Sequence, residues 1–222
     1  MKKYVTPSLL NVDVDKRLDM ANTLVNNGIK WIHYDVMDGK FVPNTAIQIE
    51  EIANISENGI PHIKDAHLMV INPYEYVSLV KDIVDIITFH YEAIEDDLEK
   101  FDEFLTKNYH DLKIGLAIKP NTSVDAIKPF LDRLALVLVM SVEPGAGGQK
   151  FMPIALDKIA QLKHLRDDNS YDYLIQVDGG INATTGPECF NVGADACVAG
   201  TYIVVEPTKE RINTVLGKFA EK

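Results

Sequence analysis

A single closed (β/α)8 TIM barrel with eight parallel strands is the fold this sequence predicts, as one domain over residues 1–222. Three observations point there. Short apolar runs alternate with longer helix-patterned segments eight times along the chain. No linker or low-complexity stretch separates the repeats, and 222 residues suits one such barrel. The first strand runs into Pro7-Ser8-Leu9-Leu10-Asn11, without the Gly-x-Gly-x-x-Gly turn that opens many doubly wound sheets.

Strands are read at residues 4–9, 31–37, 63–68, 84–90, 113–118, 135–141, 173–177 and 196–199. Helices are read at 14–27, 46–57, 73–82, 94–108, 124–133, 153–166, 184–192 and 207–220. Gly28, Gly59 and Gly193 fall where helices stop, and each is expected in the left-handed cap conformation. Pro73 and Pro207 fall where helices start, in a first turn that tolerates proline. Strand–helix alternation implies right-handed crossovers and a sheet buried on both faces.

Composition narrows the function. A hydrophobic fraction of 46% and a charged fraction of 25% are those of an ordinary globular protein. A net charge of −11 argues against a nucleic-acid surface, yet permits a small phosphorylated ligand held by backbone N–H groups. Cys189 and Cys197 are too few for a disulfide framework, and free buried thiols are expected. The run from Leu134 to Met140 is too short to span a membrane. Thr6, Pro7, Ser8, Asn11 and Asp13 break any signal-peptide core. A cytoplasmic protein with no membrane partner is expected, and one that forms a homo-oligomer.

The chemistry concentrates at strand ends. In 31–37, His33, Asp35 and Met37 share one face and Tyr34 and Val36 the other. Charge facing a strand-rich interior is costly unless it is paired or bound to metal. The third strand brings His67 and the seventh Asp178. If their strands close on one mouth, His33, Asp35, His67 and Asp178 form a mixed nitrogen–oxygen set. Such a set suits one divalent ion such as Zn²⁺, Fe²⁺, Mn²⁺ or Co²⁺. Asp38 reads as a turn residue. His90 and Glu92 read either as groups that orient a ligand or as a structural pair. Glycine-rich stretches follow strands six, seven and eight: Gly145-Ala146-Gly147-Gly148, Gly179-Gly180 and Gly200-Thr201. In this architecture the loops after strands seven and eight commonly hold phosphate.

Several motifs together resemble the ribulose-phosphate 3-epimerases. They run through Pro7-Ser8, His33-Tyr34-Asp35-Val36-Met37-Asp38-Gly39-Lys40-Phe41-Val42-Pro43-Asn44, and His67-Leu68-Met69-Val70. They continue in Gly115-Leu116-Ala117-Ile118-Lys119-Pro120, Val139-Met140-Ser141-Val142-Glu143-Pro144-Gly145 and Val177-Asp178-Gly179-Gly180. The resemblance implies metal-dependent interconversion of D-ribulose 5-phosphate and D-xylulose 5-phosphate in the pentose phosphate pathway. It implies that Asp35 and Asp178 double as acid–base groups and as metal ligands beside His33 and His67. It also implies substrate contacts from Ser8, His67, Asp178 and the glycine-rich stretches with Thr201. Ala146 stands where that family commonly has Phe, and Thr201 where Ser is usual.

Epimerisation beside a ketone removes a proton from one face and returns one to the other, through an enediolate. Three rivals share much of this pattern. One is a 3-epimerase of a six-carbon ketose phosphate such as D-allulose 6-phosphate. Another is a metal-dependent decarboxylase or aldolase using Lys119 or Lys150. The third is a non-catalytic sugar-phosphate-binding barrel. Met37, Met69 and Met140, all at strand ends, are expected to line the reacting carbon with soft, uncharged surface. On that reading Leu at each position lowers turnover in a steady-state epimerase assay, and unchanged turnover in all three variants contradicts it.

Overall fold

In the computed structural model, which describes residues 2–218, eight strands form one sheet whose paired neighbours all run parallel. They are β1 (Tyr4–Val5), β2 (Trp31–Met37), β3 (Ile63–Met69) and β4 (Ile86–His90), then β5 (Ile114–Ile118), β6 (Leu136–Met140), β7 (Leu174–Asp178) and β8 (Ala196–Val198). The order β1-β8-β7-β6-β5-β4-β3-β2 leaves one seam, between β1 and β2. A parallel bridge between Ser8 and His33 closes it, with the His33 amide donating to the Pro7 carbonyl at 3.0 Å. The expected first strand, 4–9, is therefore interrupted. Pro7 has no N–H to offer a ladder, so regular pairing stops at Val5 and resumes once, at Ser8.

The helices are α1 (Arg17–Asn26), α2 (Ile49–Asn58), α3 (Pro73–Val80), α4 (Leu98–Asn108), α5 (Ile154–Asn169), α6 (Thr185–Val192), α7 (Gly200–Val204) and α8 (Lys209–Val215). None of those described is long and apolar enough to cross a membrane. The segment expected as a helix over 124–133 is instead a 3₁₀ stretch, Val124–Phe130. Pro129 lies inside it, where it would remove one α-helical hydrogen bond and crowd the preceding turn. Pro73 occupies the first turn of α3 as expected. Pro207 does not start α8, which is capped by Thr208 accepting from the Arg211 amide at 3.2 Å. The end of the expected helix 207–220 lies outside the described residues.

Gly28 and Gly193 take positive φ at the ends of α1 and α6, as expected. Gly59 does not; its φ is −91°. A Cβ there would sit 2.6 Å from the Ile55 carbonyl oxygen, so close approach, not handedness, requires glycine.

Strand alternation sorts the core into two regions. Ile32, Tyr34 and Val36 belong to the large sheet–helix core. Trp31 packs with Leu136, Leu138 and Ala196 in a separate interior cluster, with Tyr4 and Leu174 against it. Inside the barrel, the apolar floor therefore gives way to the polar residues His33, Asp35, Asp65, His67, His90 and Gln176, all buried.

A buried ion pair ties α5 to the β7–β8 edge. The Arg166 guanidinium donates to Asp195 at 2.5 Å and to the Tyr173 carbonyl at 2.9 Å, while Asp195 also accepts the Ile175 amide at 2.9 Å. Removing the carboxylate strands a buried guanidinium. Asp195→Ala is expected to cost about 3–5 kcal/mol, seen as a lower urea midpoint at unchanged slope. A loss under about 1 kcal/mol, the worth of an exposed pair, would contradict this.

Candidate active site

Register builds the centre of the site. Parallel pairing of β2 with β3 sets His33 opposite Asp65 and Asp35 opposite His67. Asp178 arrives from the end of β7, where Ser141 donates to the Gly179 carbonyl at 2.7 Å and steadies the turn. One ligand atom from each of His33, Asp35, His67 and Asp178 lies within 4.8 Å of the others. His67 Nδ1 is 3.2 Å from Asp35 Oδ1 and 3.8 Å from Asp178 Oδ2. His33 Nε2 is 3.4 Å from Asp35 Oδ1, 3.9 Å from Asp178 Oδ2 and 3.3 Å from His67 Nδ1.

Both imidazoles have their other nitrogen occupied. His33 Nδ1 faces Asp65 at 3.0 Å, and Asp65 accepts from Gln176 Nε2 at 2.8 Å. His67 Nε2 faces His90 Nε2 at 2.8 Å, and His90 Nδ1 meets Glu92 at 3.0 Å. Two ring nitrogens and two carboxylates thus converge, an arrangement that favours a cation between them. Donor types and mutual spacing fit one divalent transition metal.

The two central carboxyls experience opposite fields. Burial opposes ionisation of Asp35, but His33 and His67 outweigh it and hold that carboxyl well below its usual range. Burial pushes Asp178 up to about 7, and the charge on Asp35 adds to the shift. Burial brings His67 down to about 4, against the nearby Asp35 carboxylate that would favour its charged form. His33 is disfavoured as a cation by burial, yet Asp65 and Asp35 raise it well above the ordinary imidazole value.

A cavity opens over this centre. Asp35, Asp178 and Ser8 line it, with Met37, Met69 and Met140 and the glycines 145, 147, 148, 179, 180 and 200, together with Ala146 and Thr201. Every residue expected to touch the substrate is there except His67, which is fully buried beneath. Ser8 Oγ donates to Asp35 Oδ2, and its own oxygen accepts the Leu10 amide at 3.1 Å. Gly179 and Gly180 have φ of 121° and 63°, and a Cβ on Gly180 would lie 2.4 Å from the Phe151 nitrogen. Among the described residues, no lysine or arginine lines the cavity. Lys119 instead places its ammonium over the Phe41 ring, 4.7 Å from the centroid.

Asp38 is the turn residue expected: one carboxylate oxygen accepts the amides of Lys40 and Phe41, each at 2.8 Å. Asn11 was not anticipated. It lines the cavity, donates to Thr201 Oγ1 at 2.6 Å and packs so close to Gly147 that a Cβ there would collide. Asp65 and Gln176 were also missed as site residues. Asp65 carries a signal in hindsight, since it lies two residues before His67 on the same strand face.

Sequence comparison places this geometry among known proteins. A sequence model of the Ribulose-phosphate 3 epimerase family matches residues 4–204. Ribulose-phosphate 3-epimerase of Schizosaccharomyces pombe is 35% identical over 94% of this chain and 90% of its own length. The cytoplasmic isoform of Oryza sativa is 34% identical, over 98% and 94%. The Escherichia coli K12 enzyme of that name is 33% identical, over 96% and 94%. Among solved structures, 3-keto-L-gulonate-6-phosphate decarboxylase from Vibrio cholerae aligns over 98% of this chain and 97% of its own. Its TM-score is 0.67 at 12% identity, which shows a shared barrel fold.

Ligation requires Asp178 and His33 to surrender protons that the metal-free cluster favours near neutrality. Metal uptake near pH 7 is therefore expected to release protons, and affinity to rise from pH 6 to 8. The slope approaches tenfold per pH unit for each proton released. Calorimetry in buffers of different ionisation enthalpy measures the release, and a flat affinity over that range would contradict it.

Proposed function

The chain belongs to the ribulose-phosphate 3 epimerase family, and on that premise we propose that it interconverts D-ribulose 5-phosphate and D-xylulose 5-phosphate with Asp35 and Asp178 as the two acid–base groups. The observation that carries this reading is their shared place at one cavity, although they come from β2 and β7, with β1 and β8 between them in the barrel.

Epimerisation at C3 breaks the C3–H bond, and its electron pair becomes the C2–C3 double bond of an enediolate. Asp35 suits the proton-accepting role in one direction because His33 and the Ser8 hydroxyl hold it ionised. Asp178 suits the donating role because it reaches the same cavity from β7, across the mouth from Asp35. Returning the proton to the opposite face of C3 inverts that carbon, and the reverse reaction exchanges the two roles. An aspartate with an ordinary pKa of about 3.9 is a weak base toward carbon. His33, Asp35, His67 and Asp178 would hold a divalent ion, whose Lewis acidity would make that proton easier to remove.

The rest of the cavity suits a sugar phosphate. Met37, Met69 and Met140 offer uncharged surface beside the two carboxyls. Gly179, Gly180, Gly200 and Thr201 offer backbone N–H groups and a hydroxyl to a phosphate, at the loops where this architecture usually binds one. The absence of lysine from the lining favours proton transfer over Schiff-base carbon–carbon cleavage.

Asp35→Asn and Asp178→Asn are each expected to lose about 10³-fold or more in turnover, with circular dichroism and melting showing a retained fold. Ribulose 5-phosphate is expected to turn over faster than D-allulose 6-phosphate in the wild type. More than a tenth of wild-type turnover in either variant would contradict the acid–base assignment. Preference for the six-carbon substrate would make the chain the sister epimerase, and binding without turnover would make it a sugar-phosphate-binding barrel.

A further inference from the structure

Behind His67 stands a run of polar groups that never reaches the cavity. His67 and His90 are fully buried and stacked, with ring centroids 4.9 Å apart. Their Nε2 atoms meet at 2.8 Å, and His90 Nδ1 meets Glu92 Oε2 at 3.0 Å. The other carboxylate oxygen of Glu92 accepts the Lys119 amide at 2.8 Å and the Thr122 hydroxyl. From α5, the buried Lys158 ammonium donates to the carbonyls of Lys119 and Thr122, at 2.7 and 2.6 Å, and pins that turn.

With both rings neutral, hydrogen-bond chemistry leaves one consistent assignment. A carboxylate only accepts, so His90 Nδ1 carries the proton it shares with Glu92. Neutral His90 then presents a bare Nε2, and His67 must donate to it. That leaves His67 Nδ1 as a lone pair aimed at Asp35 and Asp178. Without the run behind it, His67 would do better to place its proton on Nδ1, where Asp35 accepts at 3.2 Å. The outer groups therefore hold His67 in the form that ligates.

We propose that His90 and Glu92, held by Thr122 and Lys158, are positioning residues that fix His67 with Nδ1 toward a divalent ion. The inference rests on the metal reading above and deepens it. A merely structural role for Glu92 would tie the 119–122 turn to β4 without affecting ion binding.

Co²⁺ titration of the chelator-stripped full chain, followed by visible absorption, separates these roles. Glu92→Gln keeps the side-chain shape and leaves its carbonyl oxygen to the Lys119 and Thr122 donors, so its amide N–H faces His90 Nδ1 and reverses the His90 tautomer. It is expected to weaken Co²⁺ binding about 10–100-fold and to shift the ligand-field bands. Thr122→Val removes one anchor of Glu92 without burying a charge and is expected to weaken binding several-fold, with Thr122→Ser restoring it. Lys163→Met, which breaks a surface pair with Asp167, leaves binding unchanged. Wild-type Co²⁺ affinity and spectrum in Glu92→Gln would overturn the proposal. If that variant does not fold, wild-type affinity in Thr122→Val overturns it instead. A wild-type chain that takes no Co²⁺ would sink the metal reading itself.

Discussion

Two imidazoles and two carboxyls crowd into a space a few ångströms across at the barrel mouth, and the β2–β3 ladder puts three of them there. A one-residue slip in that pairing would turn His33 and Asp35, or their partners, toward the helices. As paired, Asp65 backs His33 and Asp35 meets His67. Ionisable groups buried this way are costly unless each has a partner. Gln176 on β7 and His90 on β4 supply further partners from neighbouring strands. Even the seam of the barrel serves the centre, since the Ser8–His33 bridge that closes it puts the Ser8 hydroxyl on Asp35.

The same crowding puts two chemically identical side chains in opposite fields. Asp35 lies among imidazoles and a hydroxyl donor that favour its ionised form, while half-buried Asp178, beside that negative charge, is pushed toward its protonated form as long as no ion is bound. On the proposed mechanism, environment and not residue type would separate base from acid. Around them the lining is quiet: methionines, glycines and hydroxyls, with no basic side chain among the described residues. A chain of net charge −11 is poorly suited to draw an anionic substrate over distance. Recognition of a phosphate would fall to oriented backbone N–H groups acting at close range.

Strand alternation made the inward set His33, Asp35 and Met37 legible in the sequence, and the barrel expectation followed from eight repeats of one pattern. The four-residue cluster was legible too, because its members sit at equivalent ends of separate strands. Positions set by backbone sterics were harder to read. Pro7 splits the first strand, Pro129 turns an expected helix into a 3₁₀ stretch, and Gly59 answers to a nearby carbonyl. Supporting partners were the least legible. Asn11 reaches Thr201 across 190 positions and Gln176 reaches Asp65 across 111, and no local periodicity encodes contacts of that range. The short helix α7 after β8 was likewise missed, since five residues are too few to show a helical period.

The central claim is that one carboxyl takes the C3 proton and a different one returns a proton to the opposite face. Epimerisation of ribulose 5-phosphate in D2O, stopped at low conversion and read by NMR, tests it most directly. The two-carboxyl account predicts xylulose 5-phosphate carrying deuterium at C3, beside recovered substrate that still carries protium. Product that keeps the original proton would show one group serving both faces and would contradict the account.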